Sequence, residues 1–120
     1  MRTTDLNSLE NKNKFHEAER LRINGNLLDA INLFLNILKE NQSFQPALNN
    51  IANCYFQLNK FDLAEKYYLK SLELDNENTL ILNNLSLLYL KTKNFKKALS
   101  TLELSLKKNY NQENVVEKIA

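Results

Sequence analysis

The chain holds one histidine, one cysteine, one glycine and one proline, and no tryptophan. Each scarcity closes off a class of chemistry. With His16 and Cys54 as the sole imidazole and thiol, neither a histidine-based metal cluster nor a Cys–His pair at motif spacing can be assembled. Gly25 stands alone, so no glycine-rich loop is there to cradle a phosphate. No catalytic, cofactor-binding or metal-ligating set emerges, and a non-enzymatic role is expected. A lone cysteine forms no intramolecular disulfide, which agrees with a reducing, cytoplasmic setting. No apolar stretch nears the roughly 20 residues of a membrane span, and the opening MRTTDLNSLE lacks the apolar run of a signal peptide. A role without a membrane is expected. The shortage of glycine, proline and β-branched runs fits an all-helical chain, and 120 residues, 43% of them hydrophobic, suffice for one domain with a continuous core.

What is present is a period. Ala30, Ala64 and Ala98 lie 34 residues apart, and three ungapped units follow from that spacing: 11–44, 45–78 and 79–112. Position eight of the unit holds Ala18, Ala52 and Ser86, and position eleven Leu21, Tyr55 and Tyr89. Position seventeen holds Leu27, Phe61 and Phe95, position twenty-four Phe34, Tyr68 and Leu102, and position twenty-eight Leu38, Leu72 and Leu106. Within each unit these residues step by three and four, which draws an apolar stripe down a helix. Small residues at positions eight and twenty let two helices approach closely, while bulky neighbours fill the space beside them. A helix-turn-helix unit of this length belongs to a stacked helical array.

These residues resemble the tetratricopeptide repeat, with its small residue at eight, Tyr at eleven, Ala at twenty and aromatic at twenty-four. The resemblance covers residues 11–112 and is best in the second unit. Departures are local: Lys14, Leu48 and Leu82 replace the Trp, position twenty-seven is Ile37, Ser71 and Ser105, and the closing Pro is Gln42, Asn76 and Tyr110. The resemblance implies an all-α, right-handed α-solenoid of three hairpins. Residues 1–10 read as a leader or a short helical extension of the first helix. Residues 113–120 continue the register, with Val116 at position four, Ile119 at seven and Ala120 at eight, and read as the start of a fourth first helix or a short cap.

The hairpin turn grades from Gly25 through Asn59 to Lys93. A left-handed residue closes many helices at this place, which suits Gly, tolerates Asn and strains Lys. Pro46 falls in a first turn, where a missing N–H costs nothing. Cys54 is expected to be a small buried thiol rather than a nucleophile. Charge is unevenly spread: from Lys91 to Lys108 six lysines accompany one acid, Glu103, giving +5 locally within a net +2. Such a face suits solvent or an acidic partner.

First helices of stacked hairpins line a concave groove, and positions two, five, six, nine, twelve and thirteen are expected to point away from the hairpin core. The candidate groove residues are therefore His16 and Glu19 in the first unit, Asn49, Asn50 and Asn53 in the second, and Asn83, Asn84, Leu87 and Lys91 in the third. Paired amides can bond an extended peptide through its backbone. Asn50 and Asn84 at position six resemble two rungs of the asparagine ladder in O-linked N-acetylglucosamine transferases. The clamp that holds an EEVD-type carboxylate tail in some three-repeat members needs three cations, and its places here hold Phe15, Glu19, Asn50, Leu80 and Asn84. That tail is excluded as a ligand. The expected function is a scaffold that binds a protein or peptide segment in its groove, with end-to-end self-association open to an uncapped last repeat. A second reading is the partner-recruiting front of a larger enzyme, such as a glycosyltransferase or sulfotransferase. Nucleic acid is disfavoured by the strict period and the weak basic excess.

Overall fold

The computed structural model describes residues 3–76 and 78–113, with side chains described from Leu9 to Asn76 and from Asn78 to Lys108. Six helices run in order: α1 Thr3–Ile23, α2 Leu27–Glu40, α3 Gln45–Gln57, α4 Phe61–Leu74, α5 Thr79–Lys91 and α6 Phe95–Glu113. Each first helix ends at position thirteen and each second helix begins at position seventeen, so the sequence period is also the period of the backbone. No strand occurs among the described residues. No described helix is long and apolar enough to cross a membrane.

The reason lies in a turn repeated three times. Gly25, Asn59 and Lys93 all stand at positive φ, 87°, 61° and 64°. One residue further on, the N–H of Asn26 donates to Leu21 C=O (2.8 Å), that of Lys60 to Tyr55 C=O (2.8 Å) and that of Asn94 to Tyr89 C=O (2.7 Å). This six-to-one bond, with the left-handed residue before it, is the Schellman closure of a helix end. The chain then re-enters a helix, and the N–H groups of Ala30, Ala64 and Ala98 donate to the carbonyls of Asn26, Lys60 and Asn94, each at 3.0 Å. A backbone this regular tolerates Gly, Asn and Lys at one site, at rising conformational cost.

The contacts divide the chain into two units that part between Tyr67 and Tyr68, within α4. In the first unit α1 packs on α2 and α2 on α3. Ala18, Ala30, Phe34, Ile37, Ala47, Ile51 and Cys54 are fully buried in one cluster, ringed by half-buried Phe15, Phe44, Tyr55 and Tyr67. Phe15 bridges helix and linker, its ring 5.8 Å from Phe34 and 5.5 Å from Phe44. Pro46 sits in the first turn of α3. Leu48, Ile51 and Ala52, at positions four, seven and eight, are buried.

The second unit contains the α5–α6 hairpin. Ile81, Leu82, Leu85, Ser86, Leu88 and Tyr89 bury one side of α5, and α6 contributes Ala98 and Ser105. Ser86 takes the small-residue place at position eight and satisfies its hydroxyl on Leu82 C=O at 2.9 Å, which keeps a buried polar group from going unpaired. Asn78 caps α5 by accepting the N–H of Ile81 at 3.2 Å, a cap worth about 1 kcal/mol.

At the two ends the helices outrun the repeat. α1 begins at Thr3, eight residues before the first unit opens at Asn11. α2 and α4 stop at Glu40 and Leu74, both position thirty, whereas α6 continues five residues past the equivalent Lys108 to Glu113. Glu113, expected to open a fourth first helix, is thus the last residue of α6; Val116, Ile119 and Ala120 lie outside the described residues.

Candidate functional site

In the first unit, α1 and α3 bring three polar side chains together. Glu19, at position nine of α1, accepts both a 3.3 Å bond from Arg22 Nε and a 3.1 Å bond from Arg22 Nη2. Asn50, at position six of α3, donates its Nδ2 to Glu19 Oε1. The i, i+3 spacing on α1 sets the ion pair, and the stacking of α3 beside α1 delivers the amide. Both charged side chains are about a quarter exposed, 25% for Arg22 and 27% for Glu19, so the carboxylate keeps some solvent while its oxygens are committed to neighbours. His16 is exposed, and Asn53 half-buried.

One turn along α3 from Asn50 lies Cys54, with no exposed surface. Burial pushes its thiol up to about 11; nearby Arg22 works against that shift and Glu19 adds to it. A thiol so protonated at neutral pH is a core side chain, as the sequence predicts, and not a nucleophile. Tyr55 is also raised, first by burial and then by Tyr67 and Cys54.

In the second unit, α5 shows a different face. Leu80, Leu87 and Leu90, at positions two, nine and twelve, are 60%, 57% and 44% exposed. Lys91 is exposed and Asn84 half-buried beside them. The face is apolar with a basic end, where the equivalent face of the first unit is polar and internally bonded.

Position five corrects one expectation. It does not point freely away from the hairpin. Asn83 accepts a 2.7 Å bond from the hydroxyl of Ser105 on α6. Asn49 has its Oδ1 shut away from solvent with no hydrogen-bond partner among the described residues, and Phe15 packs on α2. In α1 and α5, position five therefore reaches toward the second helix of its own hairpin, although Asn83 stays exposed. A polar residue at twenty-seven of the same unit, such as Ser105, is the sequence signal for this, because it stands opposite. The asparagine ladder is altered in the same way: the Asn50 donor is used on Glu19. Arg22, Leu80 and Leu90 belong with the candidate faces, and their positions in the period mark them as readily as those first chosen.

Two stretches, residues 46–78 and 80–111, each match the tetratricopeptide repeat family, together more than half the chain. No curated protein matches the sequence. Among solved structures, the Yersinia enterocolitica type III secretion chaperone SycD in complex with a peptide of the translocator YopD is similar, at a TM-score of 0.80 and 17% identity. That match covers 88% of this chain and 81% of SycD, and the TPR2B domain of yeast Sti1 in complex with pHsp70 is similar at a TM-score of 0.81 and 17% identity, over 88% of this chain and 85% of its own. MamA is similar at 0.83 and 13%, over 87% of this chain and 61% of its own. Likeness at this level shows the fold, an all-α solenoid of tetratricopeptide hairpins.

Proposed function

The chain belongs to the tetratricopeptide repeat family, and from that premise we propose that it is a non-catalytic scaffold holding a peptide or protein segment along the outward faces of its first helices. The observation that carries the reading is the row of Leu80, Leu87 and Leu90 on α5, each 44% exposed or more. An apolar row on a helix that also carries the half-buried amide of Asn84 and the ammonium of Lys91 suits a segment with apolar side chains and an accessible backbone. SycD with a YopD peptide and the Sti1 domain with pHsp70 support the same use of this fold.

The ligand is not a carboxylate tail. Glu19, with its negative charge at position nine, stands where the clamp of such relatives keeps an asparagine, and Leu80 stands where it keeps a lysine. A terminal carboxylate would meet repulsion instead of a cation.

A peptide library panned on the full chain tests the reading. Peptides recovered should bind about tenfold more weakly to a Leu80→Ser, Leu87→Ser chain, while its thermal midpoint stays near that of the parent. Undiminished binding to that variant would place the ligand elsewhere and end the proposal.

A further inference from the structure

The three hairpin turns share one backbone but not one chemistry. Position fifteen, at positive φ in all three, is Gly25, Asn59 and Lys93, and lysine is the residue of the three that fits it worst. Just beyond it, in the first turn of the second helix, α2 carries Asp29 and α4 carries Asp62, whereas α6 has no acid there. Lys97 holds the place of Asp29, and Lys96 that of Asp62. Acids suit the positive end of a helix dipole, and cations oppose it. The third turn therefore breaks two local rules, and it breaks both with lysine. Departures from local rules that share one direction point to a use beyond folding.

Lys91, in the last turn of α5, joins them. Four lysines stand within the seven residues Lys91–Lys97, and no acid lies between Asn78 and Leu102. Lys91, Lys93 and Lys96 are exposed, and none of them is in an ion pair among the described residues. Lys97 lies over the ring of Tyr89 at 5.5 Å. The next acid along the chain, Glu103, stands seven residues past Lys96, about 10 Å up the helix and beyond the reach of an ion pair. The other end of α5 has the opposite sign. Glu73 and Asp75 are exposed where α4 leads into α5, and the N–H of Asn78 donates to Asp75 C=O at 3.3 Å. The 13 residues of α5 put about 20 Å between the two ends. Leu80, Leu87 and Leu90 lie between them, so the face runs from acidic through apolar to basic.

We propose that the α5 face takes a protein segment whose apolar stretch carries a cluster of acidic side chains at one end, and that Lys91, Lys93 and Lys96 select that cluster. This rests on the reading of Leu80, Leu87 and Leu90 as a ligand face; the lysines add the choice of ligand and its direction. Three exposed ammonium groups contribute steering and discrimination more than affinity. Acids at the opposite end of the segment would approach Glu73 and Asp75, so a ligand with one acidic end lies along α5 in one direction.

An apolar-rich peptide library ending in Glu-Asp-Glu, panned on the full chain at low salt, supplies the probes, and each peptide recovered is remade with Gln-Asn-Gln at that end. By fluorescence anisotropy the acidic form should bind about tenfold more tightly than the amide form, with the gap shrinking as salt is added. A Lys93→Gly, Lys96→Asp chain restores both local rules, so it should melt no lower than the parent and yet lose the gap. Lys91→Gln should narrow the gap, and the Leu80→Ser, Leu87→Ser chain should weaken both forms alike. Circular dichroism of each variant confirms that the helices persist. Equal binding of the two forms, or a gap that survives in the Lys93→Gly, Lys96→Asp chain, overturns the selection by lysines while leaving the apolar row its ligand. Undiminished binding of both forms to the leucine variant removes the reading beneath the proposal, and a library that yields no binder ends both. With no gap between the peptides, binding to phosphatidylserine vesicles that the Lys93→Gly, Lys96→Asp chain loses would assign the lysines to a membrane and overturn the proposal equally.

Discussion

α2 and α6 share a turn, a register and a pattern of apolar residues, yet one is sealed and the other open. Phe34 on α2 has no exposed surface, whereas Leu102, at the same position of α6, is 38% exposed. The side facing the hairpin partner is buried in both, as Ala30 and Ala98 show at 0% and 1%. The pattern therefore makes the helix and its hairpin, but a neighbour makes the rest of the burial. In an array stabilised by nearest-neighbour contacts, equal positions in sequence are unequal in energy.

The sharpest way to break this comparison is to truncate the equivalent residues. Phe34→Ala should cost about 3–5 kcal/mol by emptying a packed site, while Leu102→Ala should cost less than about 1 kcal/mol. Urea denaturation of the two variants measures both, and similar losses would mean that α6 is covered in solution.

Position ten gives the next contrast, with Cys54 in α3 against Leu88 in α5, both buried. Because burial raises the thiol from 9.0 to about 11, the folded state holds its proton where the unfolded chain releases it. Stability is unaffected by this group below pH 9 and falls as pH climbs toward 11, by up to about 2–3 kcal/mol. Tyr55, raised in the same direction, adds to the fall. Denaturation midpoints across that range should drop less steeply for Cys54→Ala, and the native thiol should resist alkylating reagents at neutral pH until the chain unfolds.

The three turns can be graded against one another. Lys93→Gly should stabilise by up to about 1 kcal/mol, because Lys93 is held at φ 64°. Gly25→Ala should destabilise by a similar amount, about 1 kcal/mol, for backbone reasons alone, since nothing lies within 4 Å of the added Cβ. Thermal midpoints of the two variants moving in opposite directions is the expected outcome.

The last contrast belongs to Asn50. Asn50→Ala removes the amide that reaches Glu19 and should cost about 0.5–1 kcal/mol, and clearly less in a chain already carrying Glu19→Ala. Strict additivity of the two in a double-mutant cycle would show that the bond carries no coupling.

Much of the fold was legible because the signals were repeated. Small residues at eight and twenty, the positive-φ turn and the Pro46 start are each a local rule, and three copies averaged out the exceptions. The end of α6 was not legible, since the 34-residue period called for a break after Lys108. The earlier linkers NQSF and DNEN carry turn-forming residues, and Pro46 follows the first of them. KKNYNQE has no Gly or Pro to halt a helix, so α6 ran on. The candidate faces were half legible. Their positions follow from the period, but the seam bond between Ser105 and Asn83 and the reach of Asn50 to Glu19 depend on how side chains turn once helices are placed. Leucines at positions two, nine and twelve of α5 carried the plainest sign of the proposed binding face, and asparagine, common throughout the chain, the weakest.

Amide hydrogen exchange of the monomeric full chain, resolved by helix, tests the central claim that neighbours rather than pattern decide burial and stability here. The account predicts that Phe34 and the amides around it in α2 exchange far more slowly than those around Leu102 in α6, whose stripe has no helix upon it among the described residues. Protection of α6 equal to that of α2 in a monomer would contradict it.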